Sequence, residues 1–462
     1  MALVVAGLAC VVGTLVLRLP RLMPLNYVEG FNLLDALRVA AGEELYGNPA
    51  EPPWTLHVYT PLYTYVHSLL VDQSVPSLVA GRLVSYLALL FGAVAIALLS
   101  PQASRRWAVG IAALYLTTPL LANWGALVRP DNLAVLFSLL GVLVVARSER
   151  QEWLLLAAVC FFLAFFTKQS AVAGLVASTL FLARRSHRGA VLLAGTTVAL
   201  GVVAVIGMQV STQGWFLFHT VTGNLNPFDW QQFWSIQGAF LRDHFYLVIA
   251  GLVLSGSAIL RRHLSLPFLW FLVATLMTMS VGKVGSDENY FLEPLAALTL
   301  FAVTEIPGAL AGLTAGRRRT AVQVLCFLGL LVAIANVSTF YRQSVHLPAA
   351  DEAYAGIVRD IRALPPGPLV SDDGALLVYT GHQLVLRPFV MTQLASAGRW
   401  DELPVVQAIT AREFAAIIPV VSPEEHFASR YTPAMRQALT DHYRPAWSFH
   451  LVDSYQVFVP VD

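Results

Sequence analysis

Long apolar runs alternate with short polar segments over most of the chain. Seven runs contain no Asp, Glu, Lys or Arg: 1–17, 83–104, 107–128, 189 to about 208, 244–260, 264–282 and 320–341. At about 1.5 Å per residue, each can form a helix that crosses roughly 30 Å of hydrocarbon, the shortest ones only narrowly. The pattern therefore predicts an α-helical polytopic membrane protein.

Three further runs, 132–146, 153–167 and 169–183, have about 15 residues each and are short for a span. With one more run after Asn289, we expect about eleven transmembrane helices. The first run lacks a basic start and a good small-residue cleavage site. We therefore interpret it as a retained helix rather than a signal peptide.

The distribution of arginine predicts the orientation of these helices. Short loops rich in Arg and Lys stay in the cytoplasm, and a cytoplasmic N-terminus places five basic loops on that side. These loops hold Arg105 and Arg106; Arg147 and Arg150; Arg184, Arg185 and Arg188; Arg261 and Arg262; and Arg317, Arg318 and Arg319. Arg18 and Arg21, after the first helix, weakly favour the opposite orientation. An odd number of helices then places the end of the chain outside the cytoplasm.

The composition agrees with a membrane protein and limits the classes of partner that the chain is expected to bind. Of the 462 residues, 57% are hydrophobic and 12% are charged, and the mean hydropathy is +0.65, values that a soluble domain of this length does not carry. A net charge of +1 gives no sign of a nucleic-acid partner. Cys10, Cys160 and Cys326 lie inside apolar runs, so we expect no disulfide in the outer segments.

A change in composition near Pro348 divides the chain into a transmembrane domain, 1–345, and a soluble segment, 346–462, called the tail below. Its pattern predicts helices at 351–364 and 433–443, strands at 367–373 and 413–421, and a closing strand or hairpin at 447–460. These elements indicate a small extracytoplasmic α/β domain that binds the acceptor or covers the mouth of the active site. Asp372 and Asp373 are interpreted as a solvated turn, with substrate contact as the alternative.

Four polar segments face outward in this topology, whereas the cytoplasmic side has only short Arg-rich turns. They are the first outer loop, about 19–60, and the segments 123–132, 211–243 and 282–294. We therefore expect the functional site on the outer face.

A helix is predicted in the first outer loop, because apolar and polar positions separate onto two arcs at 100° per residue. The apolar arc holds Leu33, Leu34, Leu37, Ala40 and Ala41, and the polar arc holds Asn32, Asp35 and Arg38. Such a helix would lie flat on the membrane and end at Gly42. Glu29 comes before these arcs, either as a first-turn acid that stabilises the helix dipole or as a functional carboxylate.

Lysine marks a second feature of the outer face. The chain has only two, Lys168 and Lys283, and the topology places both at outer helix ends, where an ammonium group can bind a phosphate. Arg129 can join them as a bidentate partner. Snorkelling at the membrane interface is the alternative for each cation taken singly.

Other outer residues are weaker candidates for substrate binding. Asp131 fits the first turn of a helix after Pro130, where it complements the helix dipole, and substrate binding is the alternative. Glu293, one turn into an apolar run, should face the protein interior, paired with a cation. The remaining candidates are Glu288, Asn289, Tyr290, Gln169, Tyr59, His219 and Asn224; an aromatic belt at the membrane interface explains most of the aromatic residues equally well.

Several of these stretches, in this order, resemble the GT-C superfamily of polytopic glycosyltransferases. They are "YVEGFNLLDALRVAAGEELY" followed by "YTPLY", then "GRLVS", "RPDNLAVLF", "TKQSAVAG" and "NYFLEP". The resemblance covers roughly residues 1–340 and is in particular to bacterial relatives of protein O-mannosyltransferases and of the aminoarabinose transferase of lipid A. It implies a GT-C-like fold in the bacterial plasma membrane. It also implies inverting transfer of a sugar from a polyprenyl-phosphate donor to an extracytoplasmic acceptor.

The same resemblance implies that Glu29 is the catalytic base, because it occupies the place of the acid in the first outer loop. This chain has Val28-Glu29 where relatives often have Asp-Glu, so Asp35 stays in reserve. The chemistry fits independently: phosphate leaves without a general acid, so one carboxylate and several cations suffice. We expect no cofactor and no obligatory metal, because the outer loops lack a DxD pair and a His or Cys cluster. A metal bound by scattered acids such as Asp287 and Glu288 is the alternative.

Two rival functions differ in class from a transferase. A transporter or flippase for lipid-linked sugars typically has repeated halves and ionisable groups near the midplane, neither of which is evident here. A membrane-anchored scaffold would not need polar residues in several separate outer loops. The sugar, the acceptor and the prenyl chain length stay open.

Overall fold

The computed structural model describes residues 9, 12, 13, 16–99, 105–147, 150–451 and 453–461. The predicted first transmembrane helix, 1–17, lies largely outside them. Ahead of the tail, the chain is almost entirely helical. The helices are α1 Val28–Ala40, α2 Leu62–Ser68, α3 Val79–Leu99, α4 Arg105–Thr117, α5 Pro119–Gly125, α6 Asp131–Arg147, α7 Glu152–Thr167, α8 Ala173–Ala183, α9 His187–Ser211, α10 Trp215–Thr220, α11 Trp230–Asp243, α12 Phe245–Leu260, α13 Leu266–Met277, α14 Leu292–Ala311 and α15 Ala315–Ser344.

Within the described residues, four helical segments are long and apolar enough to cross a membrane, and two bent pairs raise that number to six. The four are Val79–Leu98, His187–Ser211, Glu288–Ala311 and Ala315–Arg362; the bent pairs are Trp107–Thr117 with Pro119–Gly125, at 67°, and Trp230–Asp243 with Phe245–Leu260, at 86°. Glu152–Thr167, Ala173–Ala183 and Leu266–Gly282 are shorter apolar helices. A multi-pass membrane protein is therefore supported, and the total of about eleven spans stays a prediction.

Apolar side chains are exposed along α9 and α15. Val191 and Val203 in α9 are each 71% exposed, and Phe327 in α15 is 60% exposed. Contiguous apolar surface of this kind is unfavourable in water and suits contact with lipid. The inner helices instead share one hydrophobic core, which includes Phe161 of α7, Trp270 of α13 and Leu292 of α14.

Several helix ends meet at one face of this bundle. Lys168, directly after α7, places its Nζ 2.5 Å from Oδ1 of Asp131, the first residue of α6. Asn289, ahead of α14, donates to the same oxygen at 2.7 Å. Arg147 and Arg150 lie at the opposite ends of α6 and α7. The predicted outer and basic loops of these helices therefore lie on opposite faces.

The tail is a small sheet with helices packed around it. Its helices are α16 Leu347–Arg362, α17 Gly374–Thr380, α18 Pro388–Ser396, α19 Leu403–Thr410, α20 Glu424–Arg430 and α21 Pro433–His442, and its strands are β1 Leu369–Ser371, β2 Ala416–Ile418, β3 Val420–Ser422, β4 Tyr443–His450 and β5 Ser454–Pro460. β1 and β2 are parallel, and β5 pairs antiparallel with β2, β3 and β4. The predicted elements are all present, including the closing hairpin. The boundary at 345/346 stays a prediction.

The helix predicted in the first outer loop is present as α1, but it does not lie on the membrane surface. Residues 29–36 are buried around the whole circumference of the helix, including Asn32 and Asp35 on the polar arc. The interfacial prediction was wrong because the tail covers the face that we expected to meet water. The predicted end is correct: Gly42 follows α1 with φ +81°, as a helix-terminating glycine does.

The tail and the first outer loop share hydrophobic cores. Phe31 and Leu34 of α1 pack with Tyr354 and Leu369 of the tail. Trp54 and Leu56, further along the loop, belong to a second cluster with residues of α18, α19 and α21. The tail is thereby held against the helix ends, over the face where Asp131 and Lys168 meet.

Candidate functional site

A cavity of about 480 Å³ lies between the tail and the helix ends that carry Arg129, Lys168 and Lys283. Loops of the transmembrane part contribute Arg129, Lys168 and Lys283 to its lining, and the tail contributes Arg430 and Asp372. The three cations that the sequence singled out therefore share one cavity. Its walls come from segments far apart in the chain, so the cavity requires the tail to be docked.

Two of these cations are held by one carboxylate. Asp131 lies 2.5 Å from Nζ of Lys168 and 3.3 Å from Nε of Arg129. Arg129 also stacks on Trp124, with 4.7 Å from its guanidinium carbon to the ring centroid, and Lys168 lies 5.2 Å from the ring centroid of Tyr290. Asp131 thus has a positioning role that the helix-dipole interpretation did not include.

Lys283 is the least compensated of the three. Its Nζ lies 3.4 Å from Oδ1 of Asn224, and within the described residues it makes no ion pair. Asn224 is fixed in turn, because its Nδ2 donates to the carbonyls of Val58 and Thr220. An ammonium group in this position can bind an anion.

Glu29, the predicted catalytic base, does not line the cavity. Its carboxylate is fully buried and forms an ion pair with Arg82 of α3, through contacts of 2.9 and 3.0 Å. The backbone amides of Leu25 and Val128 donate to the same two oxygens, at 2.6 and 2.8 Å. Each oxygen thus accepts two hydrogen bonds, which is the full capacity of a carboxylate. In this structure the Glu29 carboxylate is bonded entirely within the protein, and its catalytic role stays a prediction.

Asp35, the reserve candidate, is likewise bonded within the protein. Its Oδ2 lies 2.8 Å from Nδ1 of His57 and 2.8 Å from the guanidinium of Arg387 in the tail. Burial alone would raise the pKa of Asp35, but Arg387 and His57 outweigh burial and hold that pKa well below its usual range. Asp35 is therefore a link between α1 and the tail, and it is not among the residues that line the cavity.

Glu293 faces an interior pocket, as expected, but without the predicted cation. Its Oε1 accepts hydrogen bonds from Ser138, Trp270 and the backbone amide of Gly174, at 2.6, 3.0 and 3.3 Å. The predicted pairing with a cation was wrong, because three neutral donors satisfy this carboxylate. Glu293 lines a smaller pocket of about 50 Å³ that also contacts Lys168.

The remaining predicted residues divide into two groups. Tyr59, Asn224, Asn289 and Tyr290 line the main cavity, whereas His219, Gln169 and Glu288 do not. His219 is buried and bonded to the carbonyl of Gly47 and the amide of His57, at 2.8 and 3.1 Å. Gln169 donates to the carbonyl of Val58 at 2.7 Å. These two side chains hold the first outer loop in place.

Sequence reasoning missed Arg82, Arg387 and Arg430. Arg82 has a detectable signal, since a charged residue next to the apolar run 83–104 needs a buried partner. Arg387 and Arg430 have none, because nothing local in the tail distinguishes them from surface arginines. The solvated turn at Asp372 and Asp373 was wrong: both are at most 2% exposed, because α17 and the sheet enclose them.

No cluster of three or more His, Cys, Asp or Glu side chains suited to a metal ion occurs in the described part of the chain. Metal independence stays a prediction.

Comparisons with known proteins place this arrangement in context. A family model described as dolichyl-phosphate-mannose-protein mannosyltransferase matches residues 58–215, and no curated protein matches the chain. The structure resembles ArnT from Cupriavidus metallidurans bound to undecaprenyl phosphate, with a TM-score of 0.64 at 14% identity over 100% of this chain and 97% of that one. It also resembles the oligosaccharyltransferase AglB from Archaeoglobus fulgidus in complex with an inhibitory peptide and a dolichol-phosphate. That match has a TM-score of 0.54 at 11% identity over 100% and 74% of the two chains. The resemblance to GT-C membrane glycosyltransferases is thereby confirmed.

Proposed function

We propose that this chain, which has the fold of GT-C membrane glycosyltransferases, transfers a sugar from a polyprenyl-phosphate donor to an acceptor hydroxyl at the outer membrane face. The observation that carries the proposal is the meeting of Arg129, Lys168 and Lys283 in one cavity at the outer helix ends. The structural relatives ArnT and AglB are described in complex with undecaprenyl phosphate and a dolichol-phosphate. A phosphate in this cavity would leave its prenyl chain in lipid and its sugar beneath the tail.

The charges of the cavity favour departure of that phosphate. Asp131 offsets one of the two cations that it contacts, so Lys283 and one further positive charge stay available. Cations that are already in place stabilise negative charge as it develops on the leaving group, at no cost of reorganisation. No general acid is needed, because phosphate leaves without protonation. The new bond forms with inversion at the anomeric carbon.

The location of the protein belongs to the same proposal. The N-terminus and the Arg-rich loops lie in the bacterial cytoplasm, and the tail lies outside the plasma membrane. Polyprenyl-phosphate sugars and acceptors are then presented on the side where the cavity lies.

Lys283→Ala tests the phosphate role. We expect undecaprenyl phosphate to bind roughly 10- to 100-fold more weakly to this variant, because a hydrogen bond to a charged group contributes about 1.5–3 kcal/mol. Binding is measured by tryptophan fluorescence on the full chain in nanodiscs. Arg359→Ala, which removes an exposed cation from α16, is the matched control and should bind as the wild type does.

Two outcomes would contradict the proposal. Unchanged affinity in Lys283→Ala and in Lys168→Ala would remove the cations from phosphate binding. Wild-type protein that moves labelled undecaprenyl-phosphate sugars across vesicles without transferring the label to cell-envelope acceptors would favour transport instead.

A further inference from the structure

The helix α11 meets α12 at nearly a right angle. The bend is 86°, with His244 between the two helices. α12 corresponds to the apolar run 244–260, which the sequence predicts to cross the membrane, and a transmembrane helix lies within about 40° of the membrane normal. α11 therefore runs closer to the plane of the membrane, on the side where Gln232 of its first turn lines the main cavity.

Three faces run along α11, one packed against the protein and two exposed. At 100° per residue, they hold, in that order, Phe233, Ile236 and Phe240; Trp230, Trp234 and Leu241; and Gln231, Ser235 and Arg242. The second set is called the Trp face below. Its two indole side chains are 61% and 67% exposed. Indole rings favour the boundary between lipid and water, and a helix with adjoining apolar and polar exposed faces lies in that boundary.

Exposed apolar side chains continue from the Trp face onto α12. Phe245 lies in the first turn of α12, and Ile249 and Leu252 follow it; all three are more than half exposed. Lipid surrounds a transmembrane helix at such positions, as it does along α9 and α15. The lipid that contacts the start of α12 is therefore in reach of the Trp face.

Gln232 connects α11 to the loop that carries Lys283. Its Nε2 donates to the carbonyls of Val281 and Lys283, at 2.9 and 2.8 Å. These two carbonyls lie on either side of the peptide that precedes Lys283, so one amide group holds both ends of this short segment. Gln232 is 200° around the helix from Trp230, at about 100° per residue, and so faces away from lipid.

A backbone bridge strengthens the same connection. Phe228, just ahead of α11, pairs antiparallel with Lys283, and the amide of Asp229 donates to the carbonyl of Gly282 at 2.7 Å. A Cβ on Gly282 would overlap the ring of Phe228, so the two segments cannot be spaced further apart by a side chain. The position of the Lys283 backbone is thus set by α11.

We propose that the Trp face binds the lipid surface on the tail side of the membrane and that Gln232 transmits this position to Lys283, an inference that rests on the proposed function. The phosphate of a polyprenyl phosphate lies at the level of the lipid headgroups, because its chain stays in the hydrocarbon. A helix seated at that level holds the Lys283 ammonium group at the depth of the phosphate. Gln232 acts through Lys283 and is a positioning residue.

Spin labelling tests the location of the Trp face. In a full chain with Cys10, Cys160 and Cys326 replaced by Ser, Trp234→Cys and the matched control Ser235→Cys each receive a nitroxide label in phosphatidylethanolamine–phosphatidylglycerol nanodiscs. Both positions are exposed. The label at 234 should collide mainly with oxygen, which concentrates in lipid, and the label at 235 mainly with a nickel chelate, which stays in water. Equal nickel accessibility at the two positions overturns the inference.

Gln232→Met tests the positioning role, because it removes the amide donor and keeps the length of the side chain. The probe is tritiated undecaprenyl phosphate, bound to the full chain in nanodiscs. We expect roughly 3- to 10-fold weaker binding, since two hydrogen bonds that hold the Lys283 backbone are lost. In a Lys283→Ala chain the same change should have no effect, because no ammonium group is left to position. Gln231→Met, on the exposed polar face, is the matched control and should bind as the wild type does.

The outcomes separate this inference from the proposed function. Wild-type binding in Gln232→Met, or an equal loss with and without the Lys283 side chain, overturns the inference alone. If Gln232→Met does not fold, a chain with both Trp230→Ser and Trp234→Ser carries the same comparison and should show the same dependence on Lys283. If Lys283→Ala itself binds undecaprenyl phosphate as the wild type does, the phosphate role assigned under the proposed function fails, and the positioning role fails with it.

Discussion

At the scale of single residues, the guanidinium of Arg82 is heavily bonded beside the first outer loop. Its five N–H donors all have acceptors: two bonds go to Glu29 and three to the carbonyls of Arg18, Arg21 and Met23. With the carboxylate equally satisfied, this buried ion pair has no unmet hydrogen bond. It connects the start of the first outer loop to α3 and, through Val128, to the loop that carries Arg129.

Glu29→Gln should lower the free energy of unfolding by about 3–5 kcal/mol, because it leaves the Arg82 guanidinium buried without a counter-charge. The shift is measured by thermal unfolding in detergent. Glu43→Gln is the control, since Glu43 pairs with Arg38 at the surface and an exposed pair contributes at most about 1 kcal/mol. A Glu29→Gln protein with wild-type stability and no transfer would contradict this structural role and support the predicted base role of Glu29.

Sequence reasoning located isolated residues at this scale, but not their partners. Lys168 and Lys283 stood out because the chain has no other lysine, and both line the cavity. The pairing of Glu29 with Arg82 spans 53 positions and that of Asp35 with Arg387 spans 352. No local pattern encodes such a contact, so each carboxylate was interpreted as if it were free.

At the scale of elements, α1 and α17 cross at two glycines. A Cβ on Gly30 would lie 2.0 Å from the amide nitrogen of Ala375, and one on Gly374 would lie 2.8 Å from the carbonyl carbon of Gly30. The helices thus touch backbone to backbone, without side chains between them. Periodicity correctly predicted α1 from its apolar arc, but it could not show that a segment more than 300 residues later covers the polar arc.

Gly30→Ala should separate these two helices, because the added methyl group overlaps backbone that cannot move aside. We expect a lower unfolding temperature, and limited proteolysis should release the tail sooner than in wild type. Gly195→Ala in α9 has nothing within 4 Å of the new Cβ and should be neutral or slightly stabilising. Wild-type protease resistance in Gly30→Ala would contradict the crossing described here.

At the scale of the whole molecule, the positions of the helix ends agree with the two faces that the arginine distribution predicts. The ends that carry Asp131, Lys168 and Asn289 converge, and the Arg-rich turns lie at the other ends. The apolar runs sufficed to predict most of these helices and the tail elements. They could not predict that the tail and the first outer loop would form one core, because core membership depends on docking rather than on local pattern.

Cysteine labelling tests the proposed orientation. In a chain with Cys10, Cys160 and Cys326 replaced by Ser, Asp360→Cys should react with a membrane-impermeant maleimide in intact cells, since residue 360 is exposed in the tail. Arg318→Cys should react only after the cells are permeabilised. Labelling of Arg318→Cys alone in intact cells would invert the topology.

The shared core also sets an order for biosynthesis. The first outer loop ends near residue 60 and the buried tail partners in the shared cores begin at residue 354, so 354 − 60 = 294 positions separate them. At about 5–20 residues per second of synthesis, the tail partners are made on the order of 15–60 s after the first outer loop. During this time the apolar side chains of Phe31, Trp54 and Leu56 have no tail residues to pack against. A chain whose synthesis stops early would therefore leave the apolar side chains of this loop exposed, as a target for quality-control proteases.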